Sequence, residues 1–311
     1  MSATTPPRIK GVLAPVLTPF GADLEPDLRA FVAHCRWLVR QGAGLAIFGT
    51  NSEAASLSAD ERVRLTEALL ESGIPPALLM PGTGTCALPD TVRLTRHAVQ
   101  AGAAGVLMLP PFYYKNVSDD GLFAYFSEVI ERVGDRRLAV YLYHFPAMSA
   151  TPLSLELIER LLKRYPGTIA GVKDSSGDWS NMEAMIRRFG GDGFDVFPGA
   201  ETFLNRAIEA GGAGCISATV NVNPASIVAI WRSRDPAERS ALQARADSVR
   251  KIFQTQPMIP AMKHAIAHWS GRRDWRRVRP PLTALNEAAG AALVQQLQEA
   301  GFGIPDAHAL A

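Results

Sequence analysis

The sequence predicts an α/β protein: a (β/α)8 TIM barrel over residues 1–230, followed by a C-terminal helical region over residues 231–311. Three observations point there. Eight short apolar runs recur along the chain, each followed by a stretch with amphipathic helical spacing. The runs are continuous rather than alternating, as expected of parallel strands buried on both faces. No Gly-x-Gly-x-x-Gly follows the first run, which removes the main signature of a dinucleotide-binding open sheet. Eight β-then-α units therefore favour closure into a barrel over a doubly wound sheet.

The runs are Val12–Leu17, Leu45–Phe48, Ala77–Met80, Gly105–Leu109, Leu138–Tyr143, Thr168–Val172, Phe194–Phe197 and Gly214–Ile216. The intervening helices carry their own signals. Leu153, Leu157 and Leu161, with Ile158 and Leu162, form one apolar face. Ser58-Ala-Asp-Glu61 is a capping box, in which Ser58 and Glu61 satisfy each other's backbone N–H groups. Gly42, Gly73, Gly102 and Gly211 fall just past helical stretches, where a left-handed residue ends a helix. The glycine-rich segments 101–105 and 210–214 thus read as helix-to-strand turns rather than phosphate cradles. After Ile230 the chain reads as helical, with breaks at Asp235-Pro236, Gln256-Pro257 and Arg279-Pro-Pro281.

Composition narrows the functional classes. The 311 residues are 47% hydrophobic and 20% charged, with a net charge of +2. That is the balance of a globular protein with a large core. No run of like charges calls for nucleic acid. Cys35, Cys86 and Cys215 are odd in number and far apart, so they predict neither a disulfide framework nor a paired-cysteine metal site. The first residues lack the apolar core of a signal peptide, and no apolar stretch is long enough to span a bilayer. The expectation is a cytoplasmic protein without membrane or nucleic-acid partners.

In this fold chemistry belongs at the C-terminal ends of the strands. Lys173 follows the buried run Ile169–Val172 directly. A buried ammonium is costly, and burial lowers its pKa toward a neutral, nucleophilic amine suited to forming a Schiff base with a ketone. Position alone equally allows a lysine paired with Asp174 or Glu53. Tyr143 ends the preceding run and reads either as a proton shuttle or as a core tyrosine. Gly49-Thr-Asn-Ser52 reads as a carboxylate-binding turn or as a plain polar one. Of the six histidines only His144 sits at a strand end. His264 and His268 share a helix face but lie in the C-terminal region, so no catalytic metal is expected. Lys163, Lys251 and Lys263 read as exposed, solvated charges.

Together these residues resemble one family, the dihydrodipicolinate synthase/N-acetylneuraminate lyase family of pyruvate-linked class I aldolases. The resemblance runs from Gly11-Val-Leu-Ala-Pro-Val-Leu-Thr-Pro19 to about Pro281. It rests on Gly49-Thr-Asn-Ser-Glu53, Tyr143-His-Phe-Pro146, Val172-Lys-Asp-Ser-Ser-Gly-Asp178, Gly214-Cys-Ile-Ser217 and Asn221-Val-Asn-Pro224. It implies that Lys173 is the Schiff-base lysine and Tyr143 the proton relay, assisted by Thr50. It implies that Thr50 and Asn51 hold the ketoacid carboxylate and that Gly199 and Ile216 line its pocket. Glu201 and the Ser217–Asn223 loop would suit a polyol substrate, and Phe112, Tyr113 and Phe145 an aromatic acceptor. Tyr114, in Pro111-Phe-Tyr-Tyr114, resembles a tyrosine lent across a subunit contact, and resemblance to a commonly tetrameric family implies a homotetramer built as a dimer of dimers. No cofactor is expected.

The sequence departs from the family pattern at three places. Asn51 replaces a threonine, Ser52 a glycine, and His144 an asparagine. Further, dihydrodipicolinate synthases carry an arginine where this chain has Met148, and a thioether cannot form arginine's bidentate pair with a carboxylate. The resemblance therefore favours a Schiff-base lyase acting on pyruvate or a 2-keto-3-deoxy acid. The alternatives are a dehydratase or hydratase-aldolase on the same imine, a dihydrodipicolinate synthase, a ketoacid-binding barrel without turnover, and a metal-dependent barrel.

Overall fold

The structure, a computed structural model, describes residues 8–310. Its strands are β1 (Gly11–Ala14), β2 (Gly44–Leu45), β3 (Val106–Met108), β4 (Val140–His144), β5 (Ile169–Asp174), β6 (Asp195–Pro198) and β7 (Gly214–Ile216). Helices separate them in the order the sequence predicts. The described residues form two compact units. One contains residues through Gly11 and Pro75–Ile216; the other contains Val12–Ile74 and the chain from Ser217 onward.

The first unit is built on a parallel sheet in the order β3-β4-β5-β6. Its core is the continuous apolar content of those strands packed under helices, with Val140, Leu142, Val172 and Val196 against Phe126, Leu157, Leu161 and Phe189. Both faces of the strands are buried, which is why their sequences do not alternate. Register across the sheet aligns Tyr143 with Lys173 and Lys173 with Phe197, while His144 aligns with Asp174 and Asp174 with Pro198. Successive residues of a strand face opposite sides, so these form two rows of different character.

One predicted strand is displaced. Residues 77–80 do not form a strand as a block; Pro76–Leu78 is a short 3-10 turn, and extended pairing starts beyond it. The carbonyls of Leu79 and Pro81 accept from the N–H groups of Ala104 and Leu107, and Thr83 donates to Leu107. Pro75 and Pro76 fix the turn, and Pro81 has no N–H to give to a ladder. A second difference matters more. The run predicted to end at Val172 continues to Asp174, so Lys173 lies inside β5 rather than just past it.

In the second unit β1 pairs in parallel with β2, Leu13 opposite Gly44 and Ala14 opposite Leu45. The capping box forms as expected: Ser58 N–H donates to Glu61 Oε2 at 2.7 Å, and Glu61 N–H donates to Ser58 Oγ at 3.1 Å. Helices Pro236–Phe253, Met258–Ser270 and Glu287–Glu299 follow. Two tryptophans, both buried, tie down the end of the chain: Trp37 Nε1 donates to Pro305 O and Trp275 Nε1 to Leu310 O. Among the described residues no helix is long and apolar enough to cross a membrane. Across both units, Gly42, Gly73, Gly102 and Gly211 all take the left-handed backbone that helix ends require.

Candidate active site

The first unit brings Lys173 and Tyr143 together. Their strands are adjacent and their residues in register, so both side chains leave the sheet on the same side. Lys173 is 2% exposed. Its Nζ donates to Tyr143 Oη at 3.1 Å and lies 4.2 Å from the centroid of that ring. Phe145 stacks on Tyr143 with centroids 5.8 Å apart, adding an apolar wall beside the pair. A buried amine in contact with a phenol is an arrangement that can attack a carbonyl and exchange the protons that addition requires.

The two carboxylates that could have neutralised Lys173 have other partners. Asp174 sits in the neighbouring row, where its Oδ1 accepts from Ser176 N–H and its Oδ2 from Asn181 Nδ2, both at 2.7 Å. Glu53 pairs with Lys263. His144 shares Asp174's row rather than Lys173's, and its Nδ1 accepts the N–H of Leu153 at 3.0 Å. Burial pushes its pKa down, while Asp174 pulls the other way. The imidazole is thus a latch on the β4 loop.

The remaining residues of the first unit fall into two groups. Gly199 N–H donates to Asp174 O at 2.6 Å, closing the ends of β5 and β6 together. A Cβ there would collide with Ser175 Oγ and lie 2.9 Å from Ser175 Cα, so only glycine fits without movement. Ile216, at the end of β7, and Glu201, in a short turn after β6, are completely buried. Tyr113 and Tyr114 are different: 75% and 72% exposed, they form an edge-to-face pair of their own. Met148, in the turn Pro146–Ser149, is also at the surface.

In the second unit Thr50 and Asn51 open a 3-10 turn, Thr50–Ser52, with Gly49 ahead of it. The turn uses several of its own donors. Ser52 and Ala54 N–H bond Gly49 O, and Glu53 N–H bonds Thr50 O. Thr18 Oγ1 donates to Ser52 O at 2.7 Å from behind. Thr50 and Asn51 are partly accessible, whereas Ser52 and Glu53 are buried.

One expectation fails in this unit. Lys263, read from sequence as a solvated charge, is completely buried. Burial lowers its pKa to about 8, with Glu53 opposing the shift. The signal was present: the helix Met258–Ser270 is apolar on nearly every side, and Lys263 lies in its middle. His264 on the same helix is buried against Gly290, where a Cβ would collide with the imidazole. Among the described residues no cluster of three or more His, Cys, Asp or Glu side chains could hold a metal ion.

Comparison with known proteins agrees across nearly the whole chain. The family model described as the dihydrodipicolinate synthetase family matches residues 8–300. The 4-hydroxy-tetrahydrodipicolinate synthase of Rhizobium meliloti is 31% identical over 297 residues, covering 94% of this chain and 99% of that protein. The crystal structure of dihydrodipicolinate synthase from Agrobacterium tumefaciens superposes with a TM-score of 0.85 at 32% identity, covering 94% of this chain and 99% of the other. YagE of Escherichia coli K12, described as a prophage protein of the dihydrodipicolinic acid synthase family and solved in complex with pyruvate, matches with a TM-score of 0.85 at 30% identity over the same shares. The fold is accordingly α/β, of the (β/α)8 kind.

Proposed function

We propose a function for this chain from one premise: it belongs to the dihydrodipicolinate synthetase family. It is a Schiff-base-forming lyase acting on pyruvate or a 2-keto-3-deoxy acid, a small-molecule ketoacid substrate handled through an iminium on Lys173. The observation that carries the assignment is the contact between buried Lys173 and Tyr143.

In this reading the amine of Lys173 adds to the substrate ketone. Tyr143, with Thr50, delivers a proton to the developing alkoxide and later to the departing hydroxide, so the carbinolamine loses water to give the iminium. The iminium accepts the electron pair released at the neighbouring carbon. A C–C bond then breaks to leave an enamine of pyruvate, or forms in the reverse direction. Thr50 and Asn51, partly accessible at the head of the turn, hold the ketoacid carboxylate. Gly199, Ile216 and Glu201 line the substrate space. The chemistry calls on no metal or bound cofactor.

Met148 shapes the choice of acceptor. A thioether offers a carboxylate nothing comparable to a guanidinium, so an aldehyde partner without a carboxylate suits this chain better than one bearing it. The exposed pair Tyr113 and Tyr114 suits burial against a second copy, with Tyr114 lent across the contact and a tetramer as the assembly. The reading keeps 1–230 as the barrel, 231–311 as its helical region, and the cytoplasm as the location.

Borohydride reduction in the presence of pyruvate, followed by peptide mass spectrometry, tests the assignment. The expected result is one reduced adduct, on Lys173, absent in Lys173→Ala. Folded protein that forms no adduct, or forms it on another lysine, overturns it.

A further inference from the structure

The turn that presents Thr50 and Asn51 ends on Glu53, a non-glycine residue in the left-handed region at φ 55° and ψ 34°. Such a conformation costs about 1 kcal/mol or more and persists only where the surroundings hold it. Here they do so through a buried charge network. Glu53 Oε1 pairs with Lys263 Nζ, and Glu53 Oε2 accepts the N–H of Arg279 at 2.8 Å. Lys263 also donates to Arg277 O at 2.7 Å and lies 4.5 Å from the centre of the Phe20 ring.

Arg279 continues the network behind the turn. Its guanidinium donates to Ser56 O at 2.7 Å and to Leu24 O at 2.8 Å, and it pairs with both carboxylate oxygens of Glu61, the residue that closes the capping box. It lies over Phe20, 4.8 Å from the ring centre, beside Lys263. Residues 53, 56 and 61 are therefore gripped from one short stretch of the C-terminal region, residues 263–279. Burying two opposite charges completely is rarely a net gain in stability compared with an apolar pair. What such a pair supplies is a fixed position, because neither charge can move without losing its partner.

We propose that Lys263, Glu53 and Arg279 are positioning residues that set the Thr50–Asn51 turn at the height needed to hold a ketoacid carboxylate, so that the C-terminal region controls substrate affinity. This rests on the reading of Thr50 and Asn51 given above. Lys263 is not the nucleophile; it acts through Glu53 on the backbone two residues from Asn51. Losing it affects ketoacid binding more than the chemistry at Lys173.

The test measures the pyruvate concentration that half-saturates borohydride trapping at Lys173, using the full chain. Lys263→Met removes the charge and keeps the length of the side chain. Its half-saturating concentration is expected to rise about tenfold or more, equivalent to about 1.4 kcal/mol of binding, while the adduct yield at saturation stays near the wild-type value. Leu297→Ala, a buried core truncation in the same unit, is the control: it lowers stability and leaves half-saturation unchanged. If Lys263→Met does not fold, Glu53→Gln replaces it, with an expected rise of about threefold or more, because the amide keeps the shape and loses the charge. Unchanged half-saturation in the folded variant overturns the inference. A wild-type protein that forms no adduct at Lys173 removes the functional reading and this inference with it; a wild-type adduct with unaltered variants removes this inference alone.

Discussion

Acidification is expected to weaken the second unit through one histidine. His34 lies on the helix Leu28–Arg40 and is completely buried. Asn221 fixes its tautomer: the Asn221 amide donates to Pro15 O and Ala218 O, and its Oδ1 accepts from Leu17 N–H, so the imidazole Nε2, 3.1 Å away, must donate. Among the described residues Nδ1 has no hydrogen-bond partner, and the ring is enclosed by Trp37 and Trp275. A proton on Nδ1 would put a charge in a completely buried place. Burial accordingly lowers the pKa from 6.5 to about 4, with the Asn221 bond opposing. A base whose folded pKa is depressed takes up its proton in the unfolded chain first. Between about pH 6.5 and about pH 4 the unfolded state binds more protons, so stability falls as pH falls and levels off below about 4. At about 1.4 kcal/mol for each tenfold change in proton affinity, the loss is about 3 kcal/mol, a large part of a typical folding free energy of about 5–15 kcal/mol. Urea unfolding followed by tryptophan fluorescence at several pH values measures it. His144 and His264 are shifted the same way, so His34→Gln, whose amide can still donate to Asn221 and does not titrate, isolates the contribution. A wild-type-minus-variant difference that stays constant to within about 0.5 kcal/mol over that range would refute the reasoning, as would an NMR titration of folded His34 near its ordinary value.

Three further outcomes follow from the candidate site. Tyr143→Phe removes the proton-carrying hydroxyl and keeps the ring against Phe145; kcat should fall by about 10²–10⁴-fold with the fold intact by circular dichroism, and retention of the wild-type rate would take Tyr143 out of the mechanism. Gly199→Ala drives a methyl group into Ser175; it should cost about 1–3 kcal/mol in urea unfolding, and an unchanged midpoint would mean that the ends of β5 and β6 part easily. Met148→Arg restores a guanidinium at an exposed position; turnover with carboxylate-bearing aldehydes should rise by about tenfold or more against uncharged aldehydes, and an unaltered ratio would locate acceptor choice elsewhere.

Much of this protein is written locally. Continuous apolar runs reveal strands covered on both faces, a serine and a glutamate three apart mark a helix start, and glycines mark helix ends, because each depends only on residues near one another in sequence. The positions of Lys173 and Tyr143 are legible for the same reason: Tyr143 closes one apolar run, Lys173 directly follows another, and the family motifs surround them. The tertiary structure decided what depends on partners distant in sequence. The strand expected at residues 77–80 gave way to proline geometry and to where a neighbouring ladder could find acceptors. Asp174 and Glu53, equal candidates to neutralise Lys173, went to Asn181 and Lys263. The apolar helix around Lys263 hints at its burial, but its partner, a carboxylate 210 positions away, is set by the fold. A charge's partner is fixed by the path of the whole chain, whereas its helix or strand is fixed by its neighbours.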